Sequence, residues 1–291
     1  MTQTTLRQTT RLRQLLASPE IVVAPGAYDG LSARLVERAG FPAVYASGGA
    51  IARSNALPDL GLMSLSESVD RLTSMVRAVS IPLIADADTG YGNVLNLRRT
   101  IQDFERSGAA GAHIEDQTFP KKCGHYDDKG LIPAEEMAQK IRAACDARTD
   151  PDFVIIARTD AIAVEGYESA LKRAELYRDA GADILFVEAP VTEEQVADIP
   201  RRLGASTLIN MFKGGKTPLV PVERLQALGY RIVIIPSDLQ RAAIAAMQSA
   251  LSEISQSGST EKFSDRMVSF QDREEVVGTK SFLEFDDKYA V

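Results

Sequence analysis

Eight short apolar runs recur along the chain, each bounded by turn residues and most followed by a segment with helical periodicity. They are IVVAPG from Ile21, AVYASGG from Ala43, IPLIADAD from Ile81, AAGAHIEDQ from Ala109, FVIIARTD from Phe153, ADILFVEAP from Ala182, TLINMF from Thr207 and RIVIIPSD from Arg231. Strands that are apolar throughout need cover on both faces, and crossover helices on a parallel sheet supply it. Eight β-α units therefore predict an α/β fold, a closed (β/α)8 TIM-type barrel in preference to an open doubly wound sheet. The stretch GYESALKRAELYRDAGAD shows the helical pattern: Ala170, Ala174 and Tyr177 share one stripe, and the Ala-Gly ending supplies a C-cap. No linker is visible, so the 291 residues read as one domain, with an N-terminal helix over 1–20, the barrel over 21–237 and C-terminal helices over 238–291.

Nearly every run finishes in polar residues: Ser47-Gly48-Gly49, Asp86-Ala87-Asp88, His113-Ile114-Glu115-Asp116, Arg158-Thr159-Asp160, Glu188 and Asn210. Residues two apart on a strand point the same way, so Asp86 with Asp88, His113 with Glu115, and Arg158 with Asp160 project as pairs. The C-terminal rim of a barrel is where such groups converge on a substrate. Six endings of this kind outweigh the reading that strand ends are merely wet. The two longest gaps between runs, after SGG and after HIED, fall on the same rim, where long loops carry function.

Charge and composition narrow the partners. The net charge is -7 and Lys and Arg are scattered, so a footprint for a phosphate backbone is missing and nucleic acid is excluded as a partner. No apolar run approaches the roughly 20 residues a membrane helix needs, so no membrane partner is expected. The N-terminal MTQTTLRQTTRLRQLLAS reads as a first helix rather than a transit peptide, and the two distant cysteines, Cys123 and Cys145, fit a reducing cytoplasm.

Carboxylates dominate the candidate chemistry. Asp86 and Asp88 lie on one strand face before a glycine-bearing turn, a donor set that suits a hard octahedral cation such as Mg2+, with Glu115 holding a metal-bound water. Cys123 sits in KKCGH, where Lys121 and Lys122 are expected to favour the thiolate and lower the thiol pKa. Cys145, at apolar spacing on a helix, reads as inert. Zinc is a poor alternative, because His113, His125 and Cys123 have no fourth ligand at recognisable spacing. NMFKGGKTP misses the first glycine of a P-loop, and TGYGN is too short for a dinucleotide fingerprint.

In order, SGG followed by LPDLG, ADADTGYGN, HIEDQ, KKCGH, ARTDA and FVEAP resemble the isocitrate lyase and phosphoenolpyruvate mutase superfamily, from about Ile21 to Ser237. The chain is most similar to its short bacterial branch, which contains 2-methylisocitrate lyase, 2,3-dimethylmalate lyase and oxaloacetate hydrolase. The resemblance implies Mg2+, or Mn2+ in its place, on Asp86 and Asp88, with Asp59 and Glu115 reaching it through water. It implies that Tyr45, Ser47, Gly48, Gly49 and Arg158 hold a 2-hydroxycarboxylate head. Gly124, His125, Glu188 and Asn210 would then bind the departing carboxylate, and Cys123 would be the acid/base on a mobile loop. Phosphonate mutases and hydrolases of the superfamily typically lack that cysteine, so its presence implies carbon-carbon cleavage.

The implied reaction is Mg2+-dependent cleavage of a 2-hydroxy di- or tricarboxylate, of 2-methylisocitrate or 2,3-dimethylmalate type, into a 2-oxo acid such as pyruvate plus a carboxylic acid. Oxaloacetate hydrolysis or decarboxylation and phosphonomutase chemistry on a carboxyphosphonoenolpyruvate or phosphonopyruvate are the competing enzymatic readings, and a dicarboxylate sensor the non-enzymatic one. Two signals for the leaving acid conflict. NMFKGGKTPL is more similar to the dimethylmalate lyase and oxaloacetate hydrolase group, whereas Pro236 sits where 2-methylisocitrate lyases carry proline. His113 reads equally as a hydrogen-bonding neighbour of the site or as a core histidine. Beyond the barrel, Leu239, Ile244, Met247, Leu251, Ile254, Phe263, Met267, Phe270, Val276 and Phe282 exceed what one barrel face needs. The family exchanges its eighth helix with a neighbouring subunit, which implies a homotetramer, a dimer of dimers.

Overall fold

A computed structural model describes residues 6–126 and 128–290. All eight apolar runs are strands: β1 Val22–Ala27, β2 Val44–Ala46, β3 Leu83–Asp86, β4 Gly111–Glu115, β5 Val154–Thr159, β6 Ile184–Val187, β7 Thr207–Asn210 and β8 Ile232–Ile235. They pair in parallel in sequence order, and β1 closes on β8 with Val22 opposite Ile232, so the sheet is a closed barrel.

Period-two geometry turns each inward strand face into a short ladder, apolar below and charged above. On β5, Val154 and Ile156 join the buried inner cluster, and Arg158 follows on the same face; on β6, Ile184 and Phe186 precede Glu188; on β7, Leu208 precedes Asn210. Register aligns the charged ends. Asp86 lies opposite His113, and Glu115 opposite Arg158. Packing of the helices against the outer strand faces uses the alternate residues, including Ala85, Ala112, Ile114, Ile155, Ala157 and Leu185.

Each end of the barrel is finished differently. The first helix, Gln8–Ala17, contributes Leu12, wholly buried, to the inner cluster, and the Thr9 and Thr10 hydroxyls donate to Asp150 and Asp152 just before β5. At the other end, the gap after SGG is not one loop. It holds a short helix, Gly48–Ser54, whose N-cap Ser47 accepts from Ala50 N, and a second helix, Leu65–Ala78, started by a Ser64–Glu67 capping box. In the gap after HIED the described residues form no helix before Ala134–Ala147, and Gln117 pairs with Leu131 in an isolated antiparallel bridge.

The helix Tyr167–Asp179 buries Ala170, Ala174 and Tyr177 as expected, and Gly181, at φ 107°, takes the left-handed position after its end. The chain forms two compact units, one through Asp238 and one from Leu239. The second contains most of the helix Asp238–Ser257, a 3-10 turn over Glu261–Arg266 and the helices Phe270–Val277 and Thr279–Asp287. There Arg266 and Arg273 stack on Phe263 and Phe270, 4.5 and 4.6 Å from the ring centres.

Leu12→Ala tests the floor of the barrel. Truncation of a fully buried leucine is expected to cost about 2–5 kcal/mol, read as a lower urea midpoint with an unchanged slope. An unaltered midpoint would show that the N-terminal helix contributes nothing to barrel stability.

Candidate active site

Asp86, at the end of β3, is the most heavily supported side chain on the rim. Its Oδ2 accepts from Gly48 N at 3.1 Å and from the Tyr45 hydroxyl at 3.2 Å, and its Oδ1 accepts from Asp88 N at 3.0 Å and faces His113 Nε2 at 3.2 Å. Burial alone would raise its pKa, but His113, Lys121 and Arg158 outweigh burial and hold the carboxyl well below the usual range. A Cβ on Gly48 would stand 2.6 Å from Asp86 Oδ2, and one on Gly49 2.7 Å from Asp59 Oδ2. Only glycine lets this backbone approach the two carboxylates. The Tyr45 hydroxyl also lies 2.6 Å from His113 Nε2, while His113 Nδ1 is buried without a hydrogen-bond partner. His113 is therefore engaged with the site through one nitrogen only.

Next to Asp86, Asp88 takes a left-handed backbone at φ 46° and opens the turn to Gly92. Lys140, buried on the helix Ala134–Ala147, donates to Thr89 O at 2.5 Å and Gly92 O at 3.0 Å and so fixes that turn. Burial pushes the Asp88 carboxyl up to about 6, with Asp86 and Asp59 adding to the shift and Lys121 opposing it. The Lys121 ammonium sits between Asp59 Oδ1 at 2.6 Å and Asp88 Oδ1 at 2.7 Å. Glu115 completes the cluster, pushed well above the usual range chiefly by burial, with Oε1 lacking any hydrogen-bond partner.

These residues fit a divalent cation. Four carboxylates converge around one ammonium, and a buried oxygen of Glu115 has no donor. Among the described residues no three His, Cys, Asp or Glu side chains form a complete metal cage. Mg2+ commonly takes one or two protein carboxylates and leaves the remaining positions to water and substrate, so Asp86 and Asp88 are the side chains that would hold it.

On β5, with Arg158 paired in register with Glu115, the guanidinium is the hub. It donates to Asp160 through Nε at 2.9 Å and Nη2 at 3.0 Å, lies 3.4 Å from both Glu115 Oε2 and Glu188 Oε2, and packs over the Phe186 ring at 5.1 Å. Glu188 Oε1 faces His125 Nε2 at 3.2 Å and accepts from Asn210 Nδ2 at 3.5 Å. Burial would raise Glu188, but Arg158 and His125 hold it below the usual range. His125 Nδ1 accepts from Lys216 N at 3.1 Å, so the ring proton is on Nε2, and the ring meets Phe212 edge-on at 4.6 Å. Pro236 follows β8 with its backbone against Gly26 of β1.

The cysteine departs from the sequence expectation in its ionisation. Lys121 turns to the carboxylates and Lys122 pairs with Asp128 at 2.6 Å, so neither lysine is spent on the sulfur. Burial, together with the Asp59 charge, raises the Cys123 thiol above its ordinary value. Both causes oppose the thiolate at Cys123, the reverse of the sequence expectation. Cys145 is only part-buried and points to Gly181 O at 3.2 Å.

The structure brings Tyr45, Ser47, Gly48 and Gly49 together near Asp86, and Gly124, His125, Glu188 and Asn210 together near Arg158. Sequence reasoning missed Lys121 as a carboxylate partner, and it missed Gln117, whose side-chain amide clasps both backbone groups of Lys122 at 2.9 Å. It also missed Asp160's own anchor. The Asp160 amide donates to Asp116, which Tyr177 and Arg173 hold in turn.

A barrel whose rim gathers buried carboxylates, an arginine and a loop-borne thiol is an enzyme of small-acid chemistry. A sequence profile described as phosphoenolpyruvate phosphomutase matches residues 12–255, and the chain belongs to the phosphoenolpyruvate mutase/isocitrate lyase superfamily. The chain is 42% identical over 281 residues to 2,3-dimethylmalate lyase of Eubacterium barkeri, covering 96% of this chain and 97% of that one. It is 45% identical over 275 residues to 2-methylisocitrate lyase of Aeropyrum pernix, covering 94% and 89%. Among solved structures, oxaloacetate acetylhydrolase in complex with 3,3-difluorooxalacetate superposes with a TM-score of 0.92 at 35% identity, over 97% of each chain. Phosphonopyruvate hydrolase in complex with oxalate and Mg2+ superposes at 0.89 and 30% identity, over 98% of this chain and 99% of that one.

The raised thiol has a direct test. Iodoacetamide labelling of Cys123, followed by peptide mass spectrometry, is expected to stay slow at pH 7 and to accelerate with a midpoint above that of a free thiol, about 8.5. A midpoint below that value would mean that the thiolate is stabilised after all.

Proposed function

We propose that this chain is a divalent-metal-dependent carbon-carbon lyase. Its substrate is a 2-hydroxy di- or tricarboxylate of the 2-methylisocitrate or 2,3-dimethylmalate type, and its products are a 2-oxo acid such as pyruvate and a second carboxylic acid. The observation that carries this reading is the placement of Cys123 on the loop whose Lys121, two residues before it, pairs with Asp59 and Asp88 in the cluster with Asp86 and Glu115. The two lyase relatives support it.

Asp86 and Asp88 would hold the cation directly, and Asp59 and Glu115 through water. When bound, Mg2+ supplies positive charge opposite the negative charge that develops on the substrate oxygens. The chain's own residues do the rest. Gly48 and Gly49 let the backbone close on the head of the substrate, with Tyr45, Ser47 and Arg158 orienting its carboxylate. Gly124, His125, Glu188 and Asn210 would line the place of the departing carboxylate portion, with the Arg158 guanidinium beside Glu188 as the positive charge that faces it. The substrate 2-hydroxyl would give its proton to a carboxylate of the Asp59, Asp86, Asp88 and Glu115 cluster, and its electrons would form the carbonyl of the 2-oxo acid. The carbon-carbon bond would break with its electron pair left as a carbanion on the departing acid. Cys123 donates its proton to that carbon, and the raised pKa keeps the sulfur protonated until then. Closure of the loop keeps water from competing as the acid.

A cytoplasmic homotetramer completes the reading. Two free cysteines support the compartment, and exposed apolar side chains on the C-terminal helices, among them Met247, Leu251, Phe270 and Phe282, support contact with further copies. Light scattering is expected to give four times the 31.6 kDa chain mass.

The deciding experiment is a panel of 2-methylisocitrate, 2,3-dimethylmalate, isocitrate, oxaloacetate and phosphonopyruvate, assayed for 2-oxo acid with Mg2+, with Mn2+ and with chelator. Turnover of a 2-hydroxy acid that chelator abolishes and Cys123→Ser lowers by about 10²–10⁴-fold is expected. Conversion of phosphonopyruvate that survives Cys123→Ser, or hydrolysis of oxaloacetate with no lyase turnover, would replace this reading.

A further inference from the structure

Lys129 follows the cysteine loop in a stretch, DDKG, that has the composition of a solvated turn, yet its side chain and that of its partner Asp160 are both 0% exposed. We propose that Lys129 is a positioning residue, a latch that holds the Cys123 loop down on Arg158. Its ammonium donates to the carbonyl oxygen of Gly124, the residue after Cys123, and to Asp160 Oδ1 at 2.8 Å. Asp160 in turn grips Arg158 through two N–H groups, at 2.9 and 3.0 Å. The circuit then closes on itself, because Gly124 lies directly against the guanidinium: a Cβ there would strike Arg158 Nη2 and stand 2.8 Å from Glu188 Cγ.

One end of this circuit is fixed and the other is a loop. Asp160 is anchored by its own backbone N–H to Asp116 Oδ1 at 2.9 Å, and Asp116 Oδ2 accepts from Tyr177 at 2.8 Å and from Arg173 at 3.3 Å. The same loop is also tied by the Gln117 side chain on the Lys122 backbone, by Lys121 on Asp59 and Asp88, and by His125 on Glu188 and the Lys216 amide. These contacts leave Asp160 and its grip on Arg158 unconnected to the cysteine stretch. Lys129 is the tie that joins the stretch carrying Cys123 to the arginine that faces Glu115 and Glu188. When the cysteine stretch lifts, the buried ammonium loses the Gly124 carbonyl while it stays on Asp160, so the paired contacts favour the closed loop and offset the cost of burying the charge there. The catalytic consequence rests on the reading of Cys123 as the acid; the latch itself does not.

Lys129→Met in the full chain tests it by iodoacetamide labelling of the substrate-free protein, with Cys123 and Cys145 resolved by peptide mass spectrometry. Loss of the latch is expected to raise the Cys123 rate at least about tenfold through local opening, with Cys145 unchanged. Removing a nearby cation disfavours the thiolate, so faster labelling reports opening rather than a lower pKa. If Lys129→Met does not fold, Lys129→Gln is measured in the same way. An unchanged Cys123 rate in a folded variant, or a parallel rise at both cysteines, overturns the proposal. A wild-type protein inactive on every acid of the panel would overturn the lyase reading and leave the labelling result standing.

Discussion

Concentrating negative charge inside a protein is costly, and this barrel mouth does so with Asp59, Asp86, Asp88, Glu115, Asp160 and Glu188. An unpaired buried ion carries a penalty of several kcal/mol. The rim is stable because each carboxylate is placed beside a cation or a row of N–H donors. Lys121 serves the side that suits a metal, Arg158 the centre, and Lys129 the side beneath the loop. Compensation is incomplete at Glu115 and Asp88, where pKa values rise, and nearly total at Asp86, where the pKa falls.

The same arrangement explains why a cysteine suits this position. A thiolate next to Asp59 would add one more negative charge to a region already rich in them, and burial penalises it further. A thiol adds none. The environment thus favours a sulfur that arrives with its proton, which is what a group that protonates a carbanion requires.

The strands and most of the rim were legible because both follow from periodicity. An apolar run with a polar end marks a buried parallel strand, and period two then states which residues share the inner face, so Asp86, Glu115, Arg158 and Glu188 could be grouped before any coordinates. The loop residues were not legible in that way. Between Asp116 and Pro133 no repeat dictates side-chain direction, so Lys121 next to Cys123 in sequence points to Asp59 and Asp88, and Lys129 in a charged stretch is enclosed. The sign of the cysteine shift was misread for that reason. Adjacency along an irregular backbone says little about adjacency in space.

Register has a lasting consequence for how such a site can change. An inserted or deleted residue within β5 would rotate Arg158 into the helix layer and bring the neighbouring Thr159 or Ala157 to the mouth, while leaving the seven other strands aligned. Strand lengths are therefore frozen during divergence. New specificities have to arise by exchanging side chains in place or by recasting the connecting loops, and a lineage exploring other acids would carry its indels in the segments after β2, β4 and β7.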